Sequence, residues 1–202
     1  MKFLYLAAML LNVSTVIICQ AGNQYHSQYG QDKYINENIL NFQRNGVFVD
    51  IGAHDGISFS NTYYFEKELG WTGLCVEPIP HIFQKLVSNR TSICIQGCIS
   101  NFNGQAEFLK MTGWTEMLSG LKDAYDPKHL ARIDNELAVY GGAKEVITVN
   151  VYTLESQLKQ YGIQQIDLLS IDTEGNEFET LKSRRSIKQF LGIYSSTLLA
   201  PQ

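Results

Sequence analysis

Val47-Phe48-Val49-Asp50-Ile51-Gly52-Ala53-His54-Asp55-Gly56 decides the fold. Three apolar residues in a row read as a strand buried on both faces, and Asp50 ends it. Gly52 permits a tight turn and close approach of backbone to a ligand, and Gly56 repeats that freedom where the next helix is expected to begin. Thr62 to Leu69 then reads as a helix closed by Gly70, and Gly73-Leu74-Cys75-Val76 as a second strand ended by Glu77-Pro78. The pattern continues with a helix over His81 to Asn89 and a third strand over Ser92 to Ile95.

Farther out the order is the same. Upstream, Ile35, Ile39, Leu40 and Phe42 form an apolar stripe near the helical period, with Asn45-Gly46 as its stop. Downstream, Gln105 to Leu109 reads as an edge strand. Asp126-Pro127 opens a helix along Leu130, Ile133, Leu137 and Tyr140, with Asp as cap and Pro in the first turn. Val146 to Tyr152 alternates like a strand, Thr153 caps a short helix, and Ile166 to Ile171 is a further strand ended by Asp172. A helix from about Glu177 leads to a last strand candidate, Gly192 to Leu199. Strands that are apolar throughout, alternating with helices, predict one mostly parallel sheet with helices on both faces.

The bulk composition narrows the function. The chain has 202 residues, a net charge of −4 and no long run of Lys or Arg, which argues against nucleic acid as a partner. Four cysteines without a matching histidine pattern give no zinc signature; Cys75 and Cys94 lie in apolar runs and read as core thiols. No metal is expected. Residues 1–21 read as a separate segment: Lys2, then a mostly apolar run from Phe3 to Cys19, then Gln20-Ala21. The run is short for a membrane span, so a cleaved signal peptide fits better than a permanent anchor. Export or membrane association through residues 3–19 is the expectation, and a cytoplasmic location if the leader is not used. Residues 22–202 form the one domain.

In an open parallel sheet, ligands bind beyond the carboxyl ends of the strands. Asp50, Glu77 and Asp172 all stand there and would converge on one crevice. The loop lacks the second glycine of the dinucleotide G-x-G-x-x-G pattern, and its acidic residues would repel a pyrophosphate. This disfavours a nicotinamide-dependent oxidoreductase. A ligand with cationic groups, such as S-adenosylmethionine with its sulfonium and ammonium, suits the loop instead. Glu77 follows Gly56 by 21 positions, near the spacing of about 20 at which a carboxylate meets a nucleotide's ribose. Asp172 would sit by the reacting end, able to orient or deprotonate a hydroxyl. Glu174 either shares that work or caps the following helix. His54 lies in the loop and can touch ligand; His26, His81 and His129 read as surface residues.

Together, Asp50–Gly56, Glu77-Pro78, Tyr152-Thr153-Leu154 and Ile171-Asp172-Thr173-Glu174-Gly175 resemble the FkbM-type methyltransferases. Ser27-Gln28-Tyr29-Gly30-Gln31-Asp32 and the stretch from Asn61 to Lys67 resemble a subset with an N-terminal S-Q-x-G-Q-D motif. The resemblance spans about residues 25–183. It implies a Rossmann-like class I fold, S-adenosylmethionine as cofactor, and O-methylation of a sugar or small metabolite. It also implies cofactor contacts at Asp50, Gly52, Ala53, His54, Asp55, Gly56, Glu77 and Pro78, with Asp172 and Glu174 as catalytic candidates. Arg184 to Gln202 leaves room for one strand, so the family's closing antiparallel hairpin is expected to be missing. The competing reading is a catalytically weak module of the same fold, working as an interaction partner in the secretory path or at a membrane.

Overall fold

The computed structural model describes residues 24–183 and 193–194. The leader expected over residues 1–21, and the tail on which the missing hairpin was argued, lie outside them. Five parallel strands form the central sheet: β1 (Val47–Ile51), β2 (Thr72–Glu77), β3 (Ile93–Gln96), β8 (Leu168–Ile171) and β9 (Ile193–Tyr194), in the order β3-β2-β1-β8-β9. β1 is central because nearly all of it is apolar and buried, so it can take a neighbour on each side and a helix layer on each face. Alternation assigns the faces. Phe48 points into a cluster with Tyr64, Phe65, Leu69, Trp71 and Leu86, from α2 (Tyr63–Leu69) and its flank and from α3 (Pro80–Asn89). Val49 and Ile51 point the other way, to Leu154 and Leu158 of α5 (Leu154–Gln160).

β1 extends through Asp50 to Ile51, so Asp50 lies within the strand rather than beyond it. The helix read over Thr62 to Leu69 runs Tyr63–Leu69 with Gly70 as its cap, and no helix begins at Gly56, because residues 52–62 form a long loop. Upstream, α1 (Gln31–Tyr34) widens into a π-helical turn, Ile35–Ile39, and the chain leaves it at Leu40. The wider turn buries Ile35 and Leu40 but rotates Ile39 outward, and the left-handed backbone at Asn41 and Phe42 carries Phe42 to the surface. The predicted four-residue stripe is therefore half correct, and the helix ends well before Asn45.

The expectation of a single sheet needs a larger correction. Four strands form a second sheet in the order β4-β7-β5-β6: β4 (Cys98–Ile99), β5 (Gly104–Met111), β6 (Gly120–Leu121) and β7 (Lys144–Tyr152). β5 and β7 are antiparallel from Gly104↔Val151 to Met111↔Lys144. Their alternation explains the choice. Phe108, Val149 and Val151 are buried against Ile79 and Ile82, while Glu107 and Lys122 pair on the outer side. One face toward the core and one toward water is the habit of an antiparallel sheet, not of a fully covered parallel one. Helix α4 (Pro127–Tyr140) packs Ile133 against Leu109, Met111 and Leu118. Its start is as read: Asp126 accepts from the backbone N–H of Lys128 and His129, with Pro127 next to it. α6 (Glu177–Lys182) follows β8.

Two features set the stability of the site's foundations. Gly52 has φ +85°, and a Cβ there would fall 1.9 Å from the backbone oxygen of Asp172. Gly52→Ala is expected to cost about 3 kcal/mol through strain and overpacking, read as a drop in the denaturant midpoint. The second is a buried ion pair, Arg90 Nε to Glu66 Oε2 at 2.8 Å. Burial pushes the Glu66 carboxyl up, but Arg90, Ser92 and Thr91 outweigh it and hold it at about 2. Its contribution to stability is therefore present above the ordinary glutamate range and is lost as pH falls from about 4.5 toward 2. Glu66→Ala, which leaves a buried guanidinium without its partner, is expected to cost about 3–5 kcal/mol in equilibrium unfolding.

Candidate functional site

A cavity of about 280 Å³ opens at the carboxyl edge of β1, β2 and β8. The parallel sheet forms its floor. The second sheet, the 3₁₀ turn Gly113–Leu118 and the N-terminal loop at Gln28 and Tyr29 form its roof. That N-terminal loop is built by its own motif. Asp32, wholly buried, accepts from the backbone N–H of His26, Ser27 and Lys33 and from the Ser27 hydroxyl. The turn this closes sets Gln28 and Tyr29 at the cavity mouth.

The loop after β1 comes first. Gly52 and Ala53 both donate their backbone N–H to the carbonyl of Val76 at 3.0 Å, and Asp172 donates to Ile51 O at 2.8 Å. The ends of β1, β2 and β8 are thus stitched into one ledge, and the missing side chain at Gly52 is what lets Asp172's backbone close on it. His54 is held at φ +50°, a backbone conformation that side-chain-bearing residues seldom adopt and that clusters at functional sites.

Glu77 is the last residue of β2. It is 5% exposed and lines the cavity together with Gly52. Its Oε1 accepts from Ile79 N–H at 2.8 Å and its Oε2 from His54 N–H at 3.1 Å. Each oxygen retains a second lone pair for a ligand. Burial pushes the carboxyl up to about 7, against the pull of those two donors, with Glu116 and Asp55 adding to the rise. Pro78 lines the cavity beside it and turns the chain toward α3.

Asp50 is also in the wall, 4% exposed, and takes the Thr62 hydroxyl at 2.6 Å. Burial raises its pKa, opposed by Arg90 and by the hydroxyls of Thr62 and Ser170. Asn61 donates to Ser170 Oγ at 3.1 Å, which ties the same loop to β8.

Two of the sequence-predicted cofactor residues stand outside the cavity lining. Asp55 turns its carboxylate back onto its own loop, accepting from the N–H groups of Ile57 and Ser58 and from the Ser58 hydroxyl. Those donors hold its pKa below the usual range despite partial burial. Gly56 packs under Arg90 and Leu86, where a Cβ would come within 2.8 Å of each side chain. Its glycine is needed for helix packing rather than for approach to a ligand.

At the far wall stand Asp172, Thr173, Glu174 and Asn176. The helix-capping alternative for Glu174 does not hold: the following helix has Asn176 at its cap position without a side-chain cap, and it is Glu177 Oε1 that accepts from the backbone N–H of Thr173 and of Gly175 in the loop before it. Glu174 is set at φ +54° and faces the cavity. His129, expected at the surface, is packed against it, with 11% of its side chain exposed and Nε2 3.1 Å from Glu174 Oε2. His81 is exposed as read, yet it reaches Glu116 at 3.0 Å, and the other oxygen of Glu116 is 3.4 Å from His54 Nε2.

Glu116 is a cavity residue that the sequence did not reveal, since it lies in an irregular stretch without periodicity. Phe59 and Tyr29, 52% and 66% exposed at the cavity mouth, were likewise missed. Arg90 was missed as well; it reads as an ordinary helix end. Among the described residues, no group of three His, Cys, Asp or Glu is placed to hold a metal ion, and no helix is long and apolar enough to cross a membrane. Cys75, Cys94 and Cys98 are free thiols.

No curated protein and no solved structure matched the chain. The family described as the methyltransferase FkbM domain matches residues 50–194, from the aspartate of β1 to the end of β9. That span takes in the floor, the second sheet and the far wall of the cavity, and the chain belongs to the FkbM methyltransferase family.

Proposed function

We propose that this methyltransferase binds S-adenosylmethionine against β1 and β2 and methylates a hydroxyl of a small molecule or glycan held toward β8. The observation that carries the reading is Glu77: a buried carboxylate at the end of β2, oriented by two backbone N–H groups and open to the cavity beside the Gly52 turn. A carboxylate so placed suits the paired hydroxyls of a ribose. Asp50, Gly52, Ala53, His54 and Pro78 complete that side. When bound, the cofactor supplies an electrophilic methyl group on a sulfonium.

The chain's own work is to position the acceptor and handle its proton, since holding two reactants in line accounts for much of the rate in such a transfer. Asp172 and Glu174, side by side at the β8 end, provide the carboxyl groups to orient an acceptor hydroxyl and take its proton. The roof from Phe108, Leu118 and Leu121 shields that side from water.

Calorimetric titration of the full chain with S-adenosylhomocysteine tests the cofactor assignment without requiring the acceptor. Glu77→Ala is expected to weaken binding by about 1.5–3 kcal/mol for each charge-assisted hydrogen bond lost. Unchanged affinity in a folded variant would sink the ribose assignment. Because ribose hydroxyls bond best to the ionised carboxylate, wild-type affinity is expected to rise as pH passes through about 7, and Glu77→Gln to remove that dependence. The stability of the free protein should move the opposite way. The folded carboxyl is raised above its unfolded value, so its contribution is full below about pH 4.5 and is lost as pH rises through about 7.

A further inference from the structure

At the far wall of the cavity Glu174 stands against His129, a residue that the methyl-transfer reading does not use. Glu174 Oε2 and His129 Nε2 lie 3.1 Å apart. Both atoms are sealed from solvent, and neither has a hydrogen-bonding partner elsewhere. Their separation is that of a hydrogen bond but their alignment is not, and a small rotation of the ring or the carboxyl would complete it. Loose alignment of this kind is common in catalytic pairs before a ligand is bound.

The pair is built from both parts of the fold. Glu174 comes from the loop after β8, and His129 from the first turn of α4, in the segment that follows β6. The loop is pinned against that segment: a Cβ on Gly175 would fall 2.8 Å from the carbonyl oxygen of Ala124, and one on Gly120 would fall 3.2 Å from that of Thr173. The ring of Tyr125 stands edge-on to His129, with centroids 5.1 Å apart. Two strained or tightly packed backbones therefore bring one carboxyl oxygen to one imidazole nitrogen, while Glu174 still faces the cavity.

Resting on the methyl-transfer reading above, we infer that His129 is the proton-holding partner of Glu174, so that the two side chains accept the acceptor's hydroxyl proton as one relay. Glu174 begins protonated on Oε2, toward His129. As the acceptor hydroxyl reacts, its proton passes to Glu174 Oε1, and the Oε2 proton passes to His129 Nε2. The electron pair released from the O–H bond remains on the acceptor oxygen, which uses a lone pair to bond the transferred methyl carbon. The pair of the broken carbon–sulfur bond stays on sulfur, giving a neutral thioether. Glu174 ends with one proton, as it began, and His129 ends as an imidazolium. His129 touches no reactant, so it is a positioning residue acting through Glu174.

The surroundings suit both ends of the relay. Burial, and then the neighbouring Asp172, push Glu174 up to about 8, with Glu177 and Glu136 adding and Arg132 opposing, which keeps its proton at neutral pH. Burial and Arg132 lower His129, so it starts neutral, while Asp126, Glu177 and Glu136 favour its charged form. Their field favours the new imidazolium that forms as the sulfonium charge is lost.

The test follows the ring nitrogens of His129 by NMR in the full chain, labelled with ¹⁵N at its four histidines, with His129→Gln identifying the signals. As pH is varied, the Nε2 shift is expected to show a step near pH 8 that reports Glu174, and Glu174→Gln is expected to abolish that step. A single step that Glu174→Gln leaves in place would overturn the pair. If Glu174→Gln does not fold, the wild-type profile decides, and the absence of a step near pH 8 overturns it. S-adenosylhomocysteine titration of the same sample separates the two readings. Cofactor binding without coupled titration rejects the relay alone, whereas coupling without cofactor binding rejects the methyl-transfer reading on which the relay's use depends.

Discussion

A single guanidinium that water never reaches holds the site together. Arg90, at the end of α3, has a fully buried side chain. Its Nε binds Glu66 on α2; one terminal nitrogen takes the carbonyl of Gly56 and the Ser60 hydroxyl, and the other takes the Thr62 hydroxyl. Phe48 of β1 lies 5.1 Å beneath the guanidinium carbon. Gly56, Ser60 and Thr62 lie in the long loop between β1 and α2, and Phe48 and Glu66 stand in the elements that flank it. Such a loop has few apolar residues with which to pack, so its shape must come from polar bonds. A planar donor fork can hold several acceptors at once in a way that a lysine could not. Thr62, fixed by Arg90, in turn donates to Asp50, so the order imposed under the loop is passed to a cavity wall.

The cavity itself is a junction of two sheets with different habits. The parallel sheet supplies backbone turns and carboxylates from strand ends, positions that topology determines. The second sheet, antiparallel except where β4 joins β7, and its helix supply the roof and His129, positions that depend on how one layer lies over another. Ile79, Ile82, Phe108 and Val151 form the apolar contact between them. The side facing β1 and β2 is thus governed by local chain geometry, and the side facing β8 by packing over a longer range.

That difference decides what could be read from the sequence. β1, β2 and β8 were legible because a strand buried on both faces has to be apolar throughout, and the residues at their ends were legible because the topology leaves them one place to be. Gly52 was read as a turn glycine. What could not be read was its second reason, the backbone of Asp172 lying where a side chain would go. β5 was read as an edge strand, whereas it lies between β7 and β6; nothing in Gly104 to Met111 says that one partner is β7 some 40 residues on, so the second sheet was invisible as a sheet. Asp55 and Gly56 were grouped with the ligand-facing residues because they adjoin them in sequence, yet both serve the loop's own structure. His129 and Glu116 matter through residues distant in the chain, and no local pattern marks them.

The stitching of β1 to β8 bears on how the protein comes to exist at all. Val47 N–H reaches the Asp167 carboxylate across 120 positions, and the ledge under the cavity closes when Asp172 meets Ile51 and Gly52. Everything between, including the whole second sheet, is a loop that this contact must close. Pairings so distant along the chain form slowly, because the entropy of closure has to be met before the contact is gained. During synthesis the first two strands and their helices can pair early, but the central strand keeps one unpaired edge until residue 171 has emerged. For that interval β1 is an apolar strand open on one side, a state prone to pairing with the wrong neighbour. The binding ledge is then among the last parts of the molecule to form, and its completion coincides with the closing of the sheet.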